Sequence, residues 1–346
     1  MRRVAFFALS QDNYFIDMKD TWKQKGYVDE AVPSDIHLVE EIKKLCEQKN
    51  AVIMAHYYTE GAVQEVAHFV GDSLALAQKA AATDAAIILM CGVHFMGETA
   101  KILCPDKKVL IPDLNATCSL AESCPADDFA AFVAAHPGHK VVSYVNTSAA
   151  TKAVTDVVVT SSNARQIVES FPADQPLIFG PDRNLGGYIN AVTGRNMLLW
   201  DGACHVHERF SIEALLSLKQ AHPQAKVLVH PECKGAIVKL ADKVGSTAAL
   251  LQYAVASDAQ EFLVVTESGI LHEMQKQAPQ KRFIPVPPEE AGCACNECSY
   301  MRMVTLKKMY LTLLHEWPEV QVPADIAEKA LRPIRAMLDI SQQLGL

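Results

Sequence analysis

Three cysteines stand at matching points of a chain that repeats itself. Cys118 lies in Leu114-Asn115-Ala116-Thr117-Cys118-Ser119-Leu120, Cys204 in Asp201-Gly202-Ala203-Cys204-His205-Val206-His207, and the third set is Gly292-Cys293-Ala294-Cys295-Asn296-Glu297-Cys298. Each set follows the last apolar strand of its repeat, so a pseudo-threefold arrangement brings three thiols to one point. An all-thiolate site selects zinc or an iron–sulfur cluster. A structural zinc takes four protein ligands. Three cysteines instead leave one iron of a [4Fe–4S] cluster open to water or a substrate oxygen, a Lewis acid position. The spacing favours the cluster, with zinc held by four of the five cysteines as the alternative. The third ligand stays open at this point: Cys118 lies eight residues after Leu110, Cys204 six after Leu198, Cys293 nine and Cys298 fourteen after Ile284, which favours Cys293.

The repeat that carries these thiols is legible directly. His136-Pro137 returns as His222-Pro223, and a shift of 86 residues maps Lys140 on Lys226, Asp156 on Asp242, Ser161 on Thr247 and Cys118 on Cys204. A weaker copy 88 residues upstream matches Ala62, Val70 and Ser73 to Ala150, Val158 and Ser161. A period of this length means copies of one structural unit. Each copy opens with a helix-period stretch and a short strand, at Ala51–Ala55, 140–145 and Lys226–Val229. Further strands are expected over Ile87–Met90, Leu177–Phe179 and Phe262–Val265, then Val109–Ile111, Met197–Trp200 and Phe283–Val286. Helices alternating with strands apolar on both faces predict three homologous three-layer αβα domains with short parallel sheets around a pseudo-threefold axis. The expected division is an extension over 1–35, units over 36–120, 121–206 and 207–298, and C-terminal helices over 299–346 packing back on the first domain.

Ligand-binding groups of open parallel sheets gather at the carboxyl ends of strands. There the copies carry His56-Tyr57-Tyr58, Tyr144-Val145-Asn146 and His230-Pro231-Glu232. His56, Tyr144 and His230 are equivalent, as are Tyr58, Asn146 and Glu232. Ser73, Ser161 and Thr247 fall where a loop enters a helix. Such hydroxyls ordinarily cap helices, and beside free helix N–H groups they also suit an anion. A histidine before proline is often only a turn residue, and a strand-end glutamate can be merely solvated; the equivalences move both towards function.

Composition narrows the classes further. The 346 residues are 50% hydrophobic and 21% charged, ordinary for a globular protein of two or three domains. A net charge of -8 gives no reason to expect nucleic acid or anionic membrane as a partner. The apolar stretch after Met1-Arg2-Arg3 is too short for a signal peptide and no run spans a bilayer, so a cytoplasmic location is expected. Ten cysteines in a reducing compartment point to metal or catalysis. Cys46, Cys91 and Cys104 sit in apolar surroundings and read as buried small hydrophobes.

From about residue 36 onward the chain resembles the quinolinate synthase family. The resemblance rests on Ala55-His56-Tyr57-Tyr58-Thr59, Gly71-Asp72-Ser73-Leu74, 95–101 (Phe-Met-Gly-Glu-Thr-Ala-Lys), Tyr144-Val145-Asn146-Thr147, Thr160-Ser161-Ser162, Pro181-Asp182, Gly202-Ala203-Cys204, Val206-His207, His230-Pro231-Glu232 and Gly245-Ser246-Thr247. It implies one [4Fe–4S] cluster per chain, with Cys118, Cys204 and Cys298 as its three ligands, and so selects Cys298 over Cys293. It implies substrate contacts from His56, Ser73, Tyr144, Val145, Asn146, Ser161, His207, His230, Pro231, Glu232 and Thr247, with Tyr58 beside the cluster. The tail departs from the family's usual Cys-x-x-Cys-x-x-Cys by reading Cys-x-Cys-x-x-Cys. That leaves open whether Cys293 and Cys295 form a redox-sensitive disulfide.

The implied reaction condenses iminosuccinate with dihydroxyacetone phosphate to quinolinate in NAD biosynthesis, with an L-aspartate oxidase as a possible supplier of iminosuccinate. Enolisation needs a base, for which Glu232 and His230 are candidates; burial is expected to raise the Glu232 pKa towards neutrality. Tyr58 and Tyr144 are candidate proton carriers. The rival readings are another cluster-dependent hydro-lyase of a small dicarboxylate and a non-catalytic metal or redox-sensing protein.

Overall fold

Eight elements recur in one order in each repeat. A computed structural model describes residues 20–289 and 296–346, so Cys293 and Cys295 and any disulfide between them lie outside the described residues. The first unit runs α1 (Leu38–Lys49), β1 (Ala51–His56), α2 (Gly61–Val66), β2 (Phe69–Gly71), α3 (Ser73–Ala82), β3 (Ile87–Cys91), α4 (His94–Leu103) and β4 (Lys108–Leu110). The second runs α5 (Ala126–Ala134), β5 (Lys140–Tyr144), α6 (Ala149–Lys152), β6 (Val157–Val159), α7 (Ala164–Ser170), β7 (Leu177–Gly180), α8 (Arg183–Thr193) and β8 (Leu198–Leu199). The third runs α9 (Ile212–Ala221), β9 (Lys226–Val229), α10 (Gly235–Val238), β10 (Lys243–Val244), α11 (Thr247–Ala256), β11 (Glu261–Val265), α12 (Ile270–Gln277) and β12 (Arg282–Pro285). Two helices close the chain, α13 (Leu306–His315) and α14 (Ala324–Gln343).

Each unit is a four-stranded sheet, in the orders β2-β1-β3-β4, β6-β5-β7-β8 and β10-β9-β11-β12, and every pairing is parallel. The fold is therefore α/β with three αβα units, as the repeat implied. Alternation along the strands explains the burial of both faces. In β1, Ile53 and Ala55 join Ile42, Leu45 and Cys46 on one side, while Met54 meets Leu76, Met90 and Phe95 on the other. Cys91 and Cys104 are buried as well, in keeping with the hydrophobic reading of these thiols.

One side-chain contact shows how closely the copies correspond. His68 Nδ1, Asp156 Oδ2 and Asp242 Oδ2 accept the N–H of Ile53, Val141 and Val227, at 3.1, 2.8 and 2.9 Å. Two features of the repeat were not foreseen. The edge strands β2, β6 and β10 have only two or three residues, too short for a periodicity to register. The unbroken shift of 86 also slips once: Val142 pairs Phe179 and Leu228 pairs Val264, so the strands β7 and β11 are related by 85 residues.

The C-terminal helices divide between units. Helix α13 packs on α1 of the first unit, whereas α14 lies along β6 and α6 of the second and reaches α4 of the first. Helix α13 thus lies against the first unit, and α14 against both the first and the second. The reason is the apolar face Ala330, Ile334 and Met337, which is buried in the core that the first two units share. Of residues 1–35, which the sequence left unread, the described part begins with a helical turn over 20–25. It docks through Trp22 and Val28 onto Leu311. Gly26, at φ +77°, brings its carbonyl 2.9 Å from Leu114 N, and an added Cβ there would lie 2.9 Å from Asn115 Nδ2.

Candidate active site

The order second-first-third-fourth places a topological switch point between the first and third strands of each unit, at their carboxyl ends. The three ends open on one central cavity, where polar and apolar side chains of all three units meet. It is lined by His56, Tyr58, Ser73, Tyr144, Asn146, Ser161, His207, His230, Glu232, Thr247 and the thiols Cys118, Cys204 and Cys298. Val145 and Pro231 do not line it. Val145 is buried with its carbonyl 2.8 Å from Lys152 Nζ, and Pro231 is buried within its loop.

Backbone geometry fixes the tautomer of two equivalent histidines. Tyr58 N–H donates to His56 Nδ1 at 3.1 Å, and Glu232 N–H donates to His230 Nδ1 at 3.3 Å. An accepting Nδ1 puts the ring proton on Nε2. Burial keeps both rings neutral, lowering His56 to about 4 and His230 to about 3. His230 Nε2 lies 3.3 Å from Ser161 Oγ. Each ring is therefore a neutral N–H donor at a strand end.

Glu232 is buried and held from two units. Tyr144 O–H donates to its Oε1 at 2.5 Å, and His207 Nδ1 lies 2.9 Å from its Oε2. Burial alone would raise its pKa, but the imidazoles of His230 and His207 and the donors of His207 and Tyr144 outweigh it, holding the carboxyl below the usual range. The expectation of a value raised towards neutrality is corrected by this: convergent donors, invisible in the sequence, favour the charged form. Burial pushes Tyr58 and Tyr144 well above the ordinary phenol value. Both keep their protons at neutral pH.

The helix-entry hydroxyls are not the caps of their helices. Asp72 accepts Ala75 N–H at 3.0 Å and Ser246 accepts Ala249 N–H at 3.3 Å, one residue ahead of Ser73 and Thr247. That leaves Ser73 and Thr247 facing the cavity. Thr247 Oγ1 is 2.7 Å from Tyr58 OH, which is 2.9 Å from Thr266 Oγ1; Thr266 Oγ1 in turn is 2.9 Å from His207 Nε2. His207 thus bridges Glu232 through Nδ1 and the Thr266–Tyr58–Thr247 chain of hydroxyls through Nε2. Thr266 was not singled out from the sequence. It stands just after the strand Glu261–Val265, at the strand-end position that a search confined to first strands overlooks.

The three thiols come from the loops after β4 and β8 and from the tail before α13. Burial pushes Cys118 up to about 12, Cys298 up to about 11 and Cys204 well above the ordinary thiol value; the charge of Cys298 adds to the shift of Cys118, and those of Cys118 and Cys298 add to the shift of Cys204. Such thiols bind a metal only by giving up a proton. The donor set fits a thiolate-held group: three sulfurs line one buried cavity, and among the described residues no fourth cysteine does. Cys204 Sγ, His207 Nδ1 and the Glu232 carboxylate also lie within 4.8 Å of one another. Hydrogen bonding accounts for that approach, since Nδ1 is 3.3 Å from Sγ and 2.9 Å from the carboxylate.

Two carboxylates missed by the sequence reading stand behind these loops. Asp182 Oδ2 accepts Cys204 N–H at 2.9 Å and Glu267 Oε1 accepts Cys298 N–H at 3.0 Å. Burial first, then the charge of Glu232, push Asp182 up to about 8 against its backbone donors. Burial likewise pushes Glu267 up to about 8, against Arg302 and its own backbone donors. The register of 85 between β7 and β11 was the available signal, and an alignment fixed at 86 hides it.

Three equivalent α/β units that converge on one buried, thiol-bearing cavity define an enzyme built by triplication around a shared centre. The comparisons are specific. Residues 40–339 match the model of the family described as NadA, quinolinate synthetase A protein. The quinolinate synthase of Thermosynechococcus vestitus is 54% identical over 309 residues, covering 89% of this chain and 97% of its own. That of Nostoc sp. strain PCC 7120 is 55% identical over 306 residues, covering 88% and 94%. That of Chloroherpeton thalassium is 53% identical over 309 residues, covering 89% and 96%. The chain belongs to the quinolinate synthetase A family. Among the described residues no helix is long and apolar enough to cross a membrane.

Proposed function

We propose that this chain is a quinolinate synthase that condenses iminosuccinate with dihydroxyacetone phosphate, releasing phosphate and water, in NAD biosynthesis. Cys118, Cys204 and Cys298 would hold a [4Fe–4S] cluster. When bound, the cluster supplies a Lewis acid that makes a departing hydroxide less basic. The observation that carries the reading is the convergence of one thiol from each unit on a cavity that also holds neutral histidine donors and an ionised glutamate.

The chain's own groups have distinct tasks. His56 and His230 present Nε2–H, and Ser73, Ser161, Asn146 and Thr247 add polar groups, so small anions are held by donors in a space that limits water. Neutral donors suit a site that must also tolerate Glu232. That carboxylate accepts a proton from carbon next to a carbonyl in the triose phosphate, as enolisation requires. Tyr144 O–H, at 2.5 Å, is placed to return a proton from the other unit. On the far side His207 holds the second oxygen and is itself backed by Thr266 and Tyr58. Val145 and Pro231 belong to the reading as backbone of these loops. Supply of iminosuccinate by an L-aspartate oxidase is part of the same reading.

Turnover of the two substrates by anaerobically prepared protein, with an iron and sulfide count, tests it. The expected protein is brown, carries about four irons and four sulfides per chain, and forms quinolinate. Glu232→Gln keeps the shape and removes the proton acceptor. It should retain iron and bind substrates while slowing turnover by roughly 10²–10⁴. Turnover within a few-fold of the parent would move the base to another residue. A colourless, zinc-loaded parent made in iron-replete anaerobic conditions would remove the cluster from the reading.

A further inference from the structure

Asp182 and Glu267 occupy one position of the repeated unit. Phe179 and Val264 are the equivalent strand residues, paired with Val142 and Leu228. Three residues beyond each comes a fully buried carboxylate. One oxygen of each meets the backbone N–H of a cavity cysteine, Cys204 at 2.9 Å and Cys298 at 3.0 Å. The other oxygen serves the start of the unit's last helix: Asp182 Oδ1 accepts Asn184 and Leu185 N–H at 2.7 and 2.9 Å, and Glu267 Oε2 accepts Gly269 N–H at 2.6 Å. Two side chains of different length thus deliver the same bridge, from helix start to cysteine loop.

Helix capping accounts for only half of this. An N-cap aspartate satisfies the first N–H groups of its helix with one oxygen. The second oxygen of Asp182 is spent on Cys204, and Glu267 does the same for Cys298 although Gly269, not Glu267, precedes α12. The first unit is the contrast. Met54 pairs Met90, which puts Val93 at the corresponding position, and Val93 has no acceptor to offer. The Cys118 loop is held otherwise, by Asp113 Oδ1 accepting Asn115 N–H at 2.9 Å and by Gly26 O accepting Leu114 N–H at 2.9 Å.

We infer that Asp182 and Glu267 are positioning residues that clamp the Cys204 and Cys298 loops and set how firmly the thiol-held group is retained. The inference rests on the cluster reading above. Fixing the N–H of a ligand residue fixes its backbone, and so the direction of its sulfur, before metal arrives. Outer partners of this kind commonly govern metal retention by roughly 10–100-fold.

The test uses the full chain, prepared anaerobically and loaded with iron and sulfide. Asp182→Ser keeps an N-cap hydroxyl for α8 but is too short to reach Cys204 as well. Glu267→Gln retains one acceptor oxygen for two N–H groups. Two readouts apply: amide hydrogen exchange at Cys204 and Cys298 in the metal-free chain, and decay of visible absorbance as a chelator takes the iron. Each variant should speed exchange at its own cysteine and iron loss by roughly 10–100-fold, while Val93→Ala changes neither. The two effects should multiply in the double variant, since they act on separate loops. If Asp182→Ser does not fold, Asp182→Asn, of equal volume, answers the same question by turning an amide N–H towards Cys204. Parental iron loss in both variants overturns the inference, whether or not exchange is faster. A parent that takes up no iron and sulfide overturns the cluster reading and this inference together, a result distinct from a loaded parent with indifferent variants.

Discussion

Tyr144→Phe isolates the shortest contact in the cavity. The phenol donates to Glu232 Oε1 at 2.5 Å, and both side chains are nearly sealed from water, with 4% and 3% of their surface exposed. Phenylalanine keeps the ring and removes one oxygen. Glu232 then retains His207 Nδ1 at 2.9 Å on Oε2, and Oε1 loses its phenol donor. A hydrogen bond to a charged group contributes roughly 1.5–3 kcal/mol, and leaving the buried charged partner unpaired falls at the upper end. The expected loss of stability is therefore about 2–3 kcal/mol. Urea unfolding of the metal-free chain measures it, with circular dichroism and tryptophan fluorescence required to coincide so that one free energy is defined. Glu232→Gln and the double variant complete a cycle, whose coupling should exceed about 1 kcal/mol if the two groups bond as described. A Tyr144→Phe variant within about 0.5 kcal/mol of the parent, or strict additivity in the cycle, would refute the argument.

The remaining expectations are compact. Cys118→Ala, Cys204→Ala and Cys298→Ala should each lose iron on reconstitution, read from absorbance and an iron count, while Cys46→Ala, in the core beside Ile42, should keep it. Acid should destabilise the fold through His56 and His230: unfolded histidines titrate near about 6.5, whereas burial holds these two to about 4 and about 3. Because the unfolded chain binds protons that the folded chain refuses, stability is present above about pH 6.5 and falls as pH drops towards those values. Two such groups amount to about 3 kcal/mol between pH 6.5 and 5, and His56→Gln should flatten the unfolding profile by up to one proton; an unchanged slope would remove His56 from the account. Gly26→Ala should cost about 1–2 kcal/mol at φ +77°, measurable by denaturant unfolding, because the left-handed conformation is strained for a side chain.

What the sequence reveals about this protein divides along a physical line. Strands such as Ala51–His56 and Lys226–Val229 are legible because burial on both faces writes an uninterrupted apolar run. The equivalence of His56, Tyr144 and His230 is legible because equal spacing in a repeated fold means equal placement. Directional chemistry is not. Glu232 stays ionised because Tyr144, His207 and His230 converge on it from two other loops and its own, and no spacing encodes where a donor points. The edge strands β2, β6 and β10 are lost for the opposite reason, being too short to write a pattern at all. Asp182 and Glu267 show the most useful failure. Both residues were in plain view, Asp182 within one of the motifs quoted from the sequence, yet a shift held at 86 paired them with the wrong partners. Pairing registers restore the 85-residue relation, and with it a shared task for two acids of different length. In a triplicated fold, symmetry conserves the place of a contact rather than the residue that makes it. The same place is occupied by aspartate, glutamate and valine, and the unit with valine finds its support elsewhere, at Asp113 and at Gly26 in a segment outside the repeat.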